Sequence, residues 1–354
     1  MSASSHGSIK EALERLTEEA AEHLQQMGVS AEALERIKRC LLSSTQSGNM
    51  FRSRTVVQTG LTLCNNTCTA HQLSGLHVLA CLIDFSHAAY CMWDDIMDSS
   101  STHHGQPCWY RQENVGRMAI NNGCLLKSIV SLMVTKHFMS NPCYVPLIEM
   151  LNEAWLRTEL GQNADIMTAA GLVPRLAQLT EQRYRWTVEH KTAHHSIYLP
   201  LALPFLYLGL ATPEILRGVH AVAMVLGLMF QARDDFLHVY GSQAVTGKMG
   251  TDISQNKCTW LAVEAVKRCD ERQRGVLESC YGSQDAEDVR RVKEVFDELD
   301  LQAVFVEWNA HVLDELSATV RRVCAETGAP KAIFEDSLSR FLADARRDLA
   351  QTRG

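Results

Sequence analysis

The sequence predicts an all-α protein, a single helical bundle around a central cavity, and three observations predict it. Apolar residues recur at helical spacing through most of the 354 residues. The eight prolines (107, 142, 146, 174, 200, 204, 213 and 330) lie at or near the breaks between such segments, with none before 107 or within 214–329. No stretch sustains the alternation of a half-buried strand, and no repeat or low-complexity linker divides the chain.

In order, the small polar residues 1–7 read as a disordered N-terminus, and the helical domain occupies 8–354. Residues 8–27 form an amphipathic helix with Leu13, Leu16, Ala20, Leu24 and Met27 on one stripe. Gly28 and Ser30 break it, and Ala31–Leu42 begins the next helix. Residues 43–48 are a polar loop, after which Phe51–Leu63 is apolar again. A long central helix covers 71–98, and Pro107 marks the following loop as non-helical. Further helices are expected at 112–138, 145–168, 175–198, 214–239, 258–281, 285–297, 301–327 and 331–350.

Composition narrows the function. Hydrophobic residues make up 46% and charged residues 21%, which is globular. The net charge of −7 argues against a nucleic-acid partner held by a basic surface. No apolar run of about 18 residues is free of polar ones, so no membrane span is expected. The start lacks the apolar core of a secretory signal, and Glu11, Glu14, Glu18 and Glu19 do not suit a transit peptide. A soluble, cytoplasmic protein is therefore expected. The twelve cysteines have no zinc-type spacing and read as reduced. Neither a zinc site nor a histidine-metal site at His103-His104 or His194-His195 is expected, because adjacent helical side chains do not face one another.

The chemistry concentrates at Asp94-Asp95-Ile96-Met97-Asp98, where an apolar run ends in three carboxylates. On a helix Asp94 and Asp98 share a face. Like charges one turn apart repel, so local helix stability does not account for them. A hard cation would: Mg²⁺ takes one or two carboxylates plus substrate phosphates. An acidic helix end on the surface is the ordinary alternative for one such motif. A second apolar helix, however, ends in Asp234-Asp235-Phe236-Leu237-His238, with Phe230 and Gln231 just before it. Lys191, Thr192, Lys248 and Lys257 could add cationic and polar groups. The segment around Lys248 is not a P-loop, since Met249 follows the lysine, and a solvated surface charge is the ordinary reading of any one lysine.

These residues resemble the trans-isoprenyl diphosphate synthases, specifically the farnesyl diphosphate synthase type, over nearly the whole chain. The resemblance rests on the first aspartate motif with Gly105-Gln106-Pro107-Cys108-Trp109-Tyr110-Arg111, on Thr158-Glu159-Leu160-Gly161-Gln162, on Lys191-Thr192 with Tyr198-Leu199-Pro200, and on Thr246-Gly247-Lys248-Met249-Gly250-Thr251-Asp252-Ile253 through Asn256-Lys257-Cys258. It implies a helical bundle, usually a homodimer, that binds an allylic prenyl diphosphate through three Mg²⁺ ions. Asp94 and Asp98 would hold two ions and Asp234 the third. Lys191, Lys248 and Lys257 would contact the diphosphate, with Gln231, Asp252 and Thr192 in support.

Other positions depart from the family. Its Gly-Lys-x-x-Arg loop, which holds isopentenyl diphosphate, is Gly48-Asn49-Met50-Phe51-Arg52 here, leaving Arg52 alone. The arginine pair after the first motif is His103-His104, a glutamine before that motif is His87, and the second motif ends in His238 and carries Arg233 before Asp234. Each lost charged contact removes about 1.5–3 kcal/mol of affinity. Two phenylalanines of the family are Ala89 and Tyr90 here; Ala89 is expected to open the cavity floor. Tyr90 and Trp93 would wall the cavity, with ordinary core packing as the alternative.

An intact ionisation site beside an altered acceptor site implies a terpene synthase derived from a farnesyl diphosphate synthase, as known among insects. It would convert farnesyl diphosphate to a sesquiterpene or its alcohol. The alternatives are a chain-elongating prenyltransferase and a non-catalytic partner subunit.

Overall fold

The computed structural model describes residues 2–45, 50–103, 105–170, 176–241 and 250–352, and the side chains of 9–342 within them. The described residues fold as helices, apart from an antiparallel pair of two-residue strands, Thr102–His103 and Gln106–Pro107. That pair, absent from the sequence reading, is too short to show an alternating pattern.

Helix α1 spans Ser2–Gln26, starting before the expected residue 8. Next come α2 (Ala31–Thr45), α3 (Phe51–Leu63), α4 (Ala70–Met97), α5 (Met118–Phe138) and α6 (Tyr144–Ala169). Helix α4 starts on a capping box: Thr69 Oγ1 accepts from Gln72 N at 3.2 Å, and Thr69 N donates to Gln72 Oε1 at 2.9 Å. Its Leu76, Leu79, Ile83 and Phe85 are buried in the core shared by α1–α6. Buried on nearly all sides, α4 is the central post of the bundle.

The expected helix 175–198 divides. After α7 (Glu181–Thr187) the chain widens into an eleven-residue π-helix, Val188–Tyr198, and continues into α8 (Leu199–Tyr207). Leu199 N donates to His194 O, five residues back. Pro200 lacks the N–H that would close an α-helical bond to Ser196. Thus Pro200 and Pro204 lie within α8 instead of breaking the chain. Small residues admit this wide segment: a Cβ on Gly161 would sit 2.2 Å from Lys191 N, and one on Gly227 2.4 Å from Ala193 Cβ.

Helix α9 (Pro213–Tyr240) is capped by Thr212 and carries the second acidic site. The expected helix 258–281 is two, α10 (Trp260–Arg268) and α11 (Glu271–Cys280), because Asp270 and Gln273 form a capping box between them. The fold ends with α12 (Ala286–Glu298), α13 (Leu301–Thr327) and α14 (Lys331–Thr352). Among the described residues three helices, α4, α5 and α9, are long and apolar enough to cross a membrane by length and composition. Polar residues interrupt each of them, so none shows in the sequence as an unbroken apolar run. The apolar window of α4 is 78% buried inside the bundle, so packing within the protein accounts for its hydropathy.

Candidate active site

A cavity of about 1430 Å³ opens between α4, α6, the π-helix and α9. Asp84, His87, Ala88, Cys91, Asp94 and Asp98 line it from α4 at helical spacing. Both aspartate motifs lie at helix C-termini, where the helix dipole disfavours anions. Cations brought from elsewhere in the chain offset this.

Lys191 Nζ lies 3.2 Å from Asp94 Oδ1 and 2.6 Å from Asp165 Oδ2. Lys257 Nζ lies 3.0 and 2.9 Å from the two Asp98 oxygens and 2.7 Å from the same Asp165 oxygen. Gln162 Nε2 donates to Asp94 Oδ1 at 2.9 Å. Burial pushes Asp165 up, but the two lysines outweigh it and hold the carboxyl below its ordinary value. Burial likewise opposes the charge on both lysines; the carboxylates overcome it and raise each above the ordinary lysine value.

Asp165 is the functional candidate that the sequence reading missed. Its signal was present: it extends the buried stripe Leu147, Leu151, Ala154, Thr158 and Gly161 of α6, where a carboxylate is out of place.

On the opposite wall Asp234 is half exposed, while Asp235 is buried. Thr192 Oγ1 donates to Gln231 Oε1 at 2.7 Å, and Gln231 Nε2 donates to Asp235 Oδ1 at 2.9 Å. Trp260 N donates to Asp235 Oδ2 at 2.8 Å. Burial, then the charge of Asp252, pushes Asp235 up to about 7. This chain of bonds ties the π-helix, α9 and α10 together. His238 Nδ1 contacts Asp252 Oδ2 at 2.9 Å as an ion pair, off the line of a hydrogen bond, and Nε2 lies 4.0 Å from Asp234 Oδ2. The charge of Asp252 overcomes burial and raises His238 to about 10. His238 is therefore a cation at pH 7, a role its replacement of an acid did not reveal.

Tyr90 and Trp93 both line the cavity and meet edge to face, with ring centroids 5.6 Å apart. Trp93 Nε1 donates to Ile120 O at 3.1 Å. A Cβ on Gly123 would sit 2.5 Å from that nitrogen, so glycine makes room for the indole. The expectation for Ala89 fails: it is 1% exposed within the core and does not line the cavity, since it faces away from the 84, 87/88, 91, 94 row. Arg52 is partly buried and lines the cavity, with Nε and Nη2 donating to Ser196 Oγ at 3.1 and 2.9 Å. His103 Nδ1 lies 3.2 Å from Asp95 Oδ1. Lys248, Asn49 and His104 lie outside the described residues.

The donor set suits a hard divalent cation. Asp94, Asp98 and Asp234 offer carboxylate oxygens to one cavity. Among the described residues, three carboxylates of the innermost cluster, Asp94, Asp98 and Asp165, face the two ammonium groups of Lys191 and Lys257. Burial and the charge of Asp94 push Asp98 up, a crowding that a bound cation would relieve.

The polyprenyl synthetase family model matches residues 34–299. A farnesyl pyrophosphate synthase of Schizosaccharomyces pombe is 34% identical over 333 residues, covering 94% of this chain and 96% of that protein. The chain belongs to the polyprenyl synthetase family. A farnesyl pyrophosphate synthase of Rattus norvegicus is 35% identical over 90% of this chain and 89% of that protein. The solved farnesyl diphosphate synthase of T. brucei, complexed with risedronate, superposes with a TM-score of 0.89 at 26% identity, covering 94% of this chain and 97% of that one. The all-α isoprenoid synthase fold is thus established, and the chain is an enzyme of the trans-prenyl synthase type, whose members use a divalent metal.

Proposed function

We propose that this polyprenyl synthetase family member ionises farnesyl diphosphate without elongating it, as a terpene synthase. One observation carries the reading: among the described residues the ionisation cluster is assembled while the acceptor side is altered. Lys191 and Lys257 converge on Asp94, Asp98 and Asp165. Where the resemblance places arginine, His103 instead bonds to Asp95, and the Arg52 fork is engaged by Ser196.

Asp94, Asp98 and Asp234 would hold Mg²⁺, three ions by the resemblance, which would neutralise the leaving diphosphate. His238 brings a positive charge near Asp234 that weakens the attraction for the third ion. Lys191 and Lys257 donate N–H bonds to the diphosphate oxygens, more strongly as negative charge builds up in the transition state. Lys248 would join them, and Thr192, with Gln231, fixes the π-helix that presents Lys191. The C–O bond breaks with its electron pair on diphosphate. The allylic cation rearranges beside the faces of Tyr90 and Trp93. It then loses a proton to diphosphate, giving a sesquiterpene, or captures water, whose extra proton passes to diphosphate, to give an alcohol.

A second reading, a chain-elongating prenyltransferase, is favoured by the relatives: those named above are farnesyl pyrophosphate synthases, matched over about nine-tenths of the chain or more. On that reading the cation is attacked by the double bond of isopentenyl diphosphate, which then loses a proton. The proposal extends to a cytoplasmic homodimer whose helices form one domain. Exposed Leu156, Leu160 and Met167 form an apolar stripe on α6 suited to a second copy.

The deciding experiment incubates the protein with Mg²⁺ and either farnesyl or geranyl diphosphate, with and without isopentenyl diphosphate. A hydrocarbon or alcohol formed without the second substrate establishes the terpene synthase. A longer prenyl diphosphate formed only with it establishes the prenyltransferase.

A further inference from the structure

Away from the carboxylate cavity, a second group of metal-ligating side chains meets where the π-helix crosses α9. His194 and Glu189 come from the π-helix and His220 from α9; one ligand atom of each lies within 4.8 Å of the others. The two imidazole Nε2 atoms are 3.2 Å apart, and His194 Nε2 is 3.9 Å from Glu189 Oε1. The sequence offered only the adjacent pair His194-His195, whose side chains diverge. The π-helix changes the geometry: residues five apart lie one turn from each other in its i→i−5 register, which aligns Glu189 with His194. His195 points elsewhere, stacking on His87 at 5.8 Å.

We infer that Glu189, His194 and His220 form a site for a borderline transition-metal ion of the Zn²⁺ class, separate from the Mg²⁺ carboxylates. Two imidazoles and one carboxylate are the donors such ions prefer, and they leave a fourth position for water. Nitrogens bound at zinc–nitrogen distances to one tetrahedral ion lie about 3.3 Å apart, close to the observed separation. Burial keeps both rings in the neutral, ligating form, holding His194 down to about 3 and His220 below its ordinary value. Arg157 is the nearby opposing charge. It lies 3.4 Å from His190 Nε2 and is paired with Glu153 at 2.7 Å, which tempers its repulsion of a dication. Glu189 is partly exposed and gives the ion an entry path. Such an ion would clamp the segment bearing Lys191 and Thr192 to α9.

The test titrates the full-length protein with Zn²⁺ by calorimetry and with Co²⁺ by visible absorption, both in saturating Mg²⁺. The wild type is expected to bind one ion per chain, show the intense bands of tetrahedral Co²⁺, and melt at a higher temperature with Zn²⁺. His220→Ala and Glu189→Gln should each weaken Zn²⁺ binding about tenfold or more. His220→Ala should melt like the wild type without Zn²⁺ and keep its Mg²⁺-dependent turnover, which separates a lost ligand from a lost fold. Equal Zn²⁺ affinity in the wild type and His220→Ala would overturn the site. So would no Zn²⁺ binding by the wild type, or binding removed by Asp94→Asn but not by His220→Ala; the imidazoles would then be only a neutral hydrogen-bonded pair.

Discussion

Lys257 Nζ lies 2.7 Å from Asp165 Oδ2, the oxygen that Lys191 also approaches at 2.6 Å. One buried carboxylate thus anchors the cations from two distant parts of the chain. Breaking a buried charged network by removing one partner costs about 3–5 kcal/mol. Asp165→Asn should therefore lower the melting temperature and reduce kcat about tenfold or more, because both lysines lose their fixed position. Thermal melts and product assays check this; unchanged kcat would mean the lysines are placed without Asp165.

Chelation should abolish turnover while leaving the fold in place, because Lys191 and Lys257 already hold Asp94 and Asp98. Mg²⁺ should restore activity. Asp94→Asn and Asp98→Asn should each reduce kcat by roughly 10²–10³, the range for losing one strong electrostatic group in an active site. A melting curve with and without chelator separates the two effects.

The two functional readings differ over the acceptor side. In a terpene synthase, Asn49→Lys combined with His103→Arg and His104→Arg should create or strongly increase consumption of isopentenyl diphosphate. In a working prenyltransferase the same variant should improve it only modestly. Radiolabelled isopentenyl diphosphate incorporation measures the outcome.

Ala89→Phe should destabilise the fold by about 1–3 kcal/mol through overpacking, since Ala89 lies in the core rather than at the cavity wall. Gly123→Ala should instead shift the product spectrum by displacing Trp93. Denaturant melts and product chromatography distinguish these outcomes, and a product change from Ala89→Phe at unaltered stability would contradict the assignment.

His238 is raised from 6.5 to about 10 by Asp252, which outweighs burial. A group whose folded-state value is raised favours the folded state fully at pH below the unfolded value. That contribution fades as pH rises through the folded one. The stability supplied by the His238–Asp252 pair should therefore be complete below pH about 6.5 and lost on approaching about 10. His238→Gln should flatten that part of the pH–stability curve, read by melts between pH 6 and 10.

The sequence by itself determined the helical class, the order of helices and both aspartate motifs. Helical periodicity and proline placement are local properties of neighbouring residues, and so is the spacing within Asp94–Asp98. Tertiary structure decided which distant residues share a site. Asp165 is legible only as an acid on a buried stripe; the packing of α6 against the π-helix brings Lys191 to it, and the segment leading into α10, tied to α6 by Asn256 donating to Thr168 O, brings Lys257. His238 is raised chiefly because the fold sets Asp252 beside it, with Asp234 one turn away adding to the effect. The π-helix depends on Pro200 together with close approach at Gly161 and Gly227, so its register, and the meeting of His194 with His220, arise only when three helices pack. Ala89 makes the same point in reverse: its position before the motif suggests a cavity floor, and the rotation of α4 in the bundle turns it into the core.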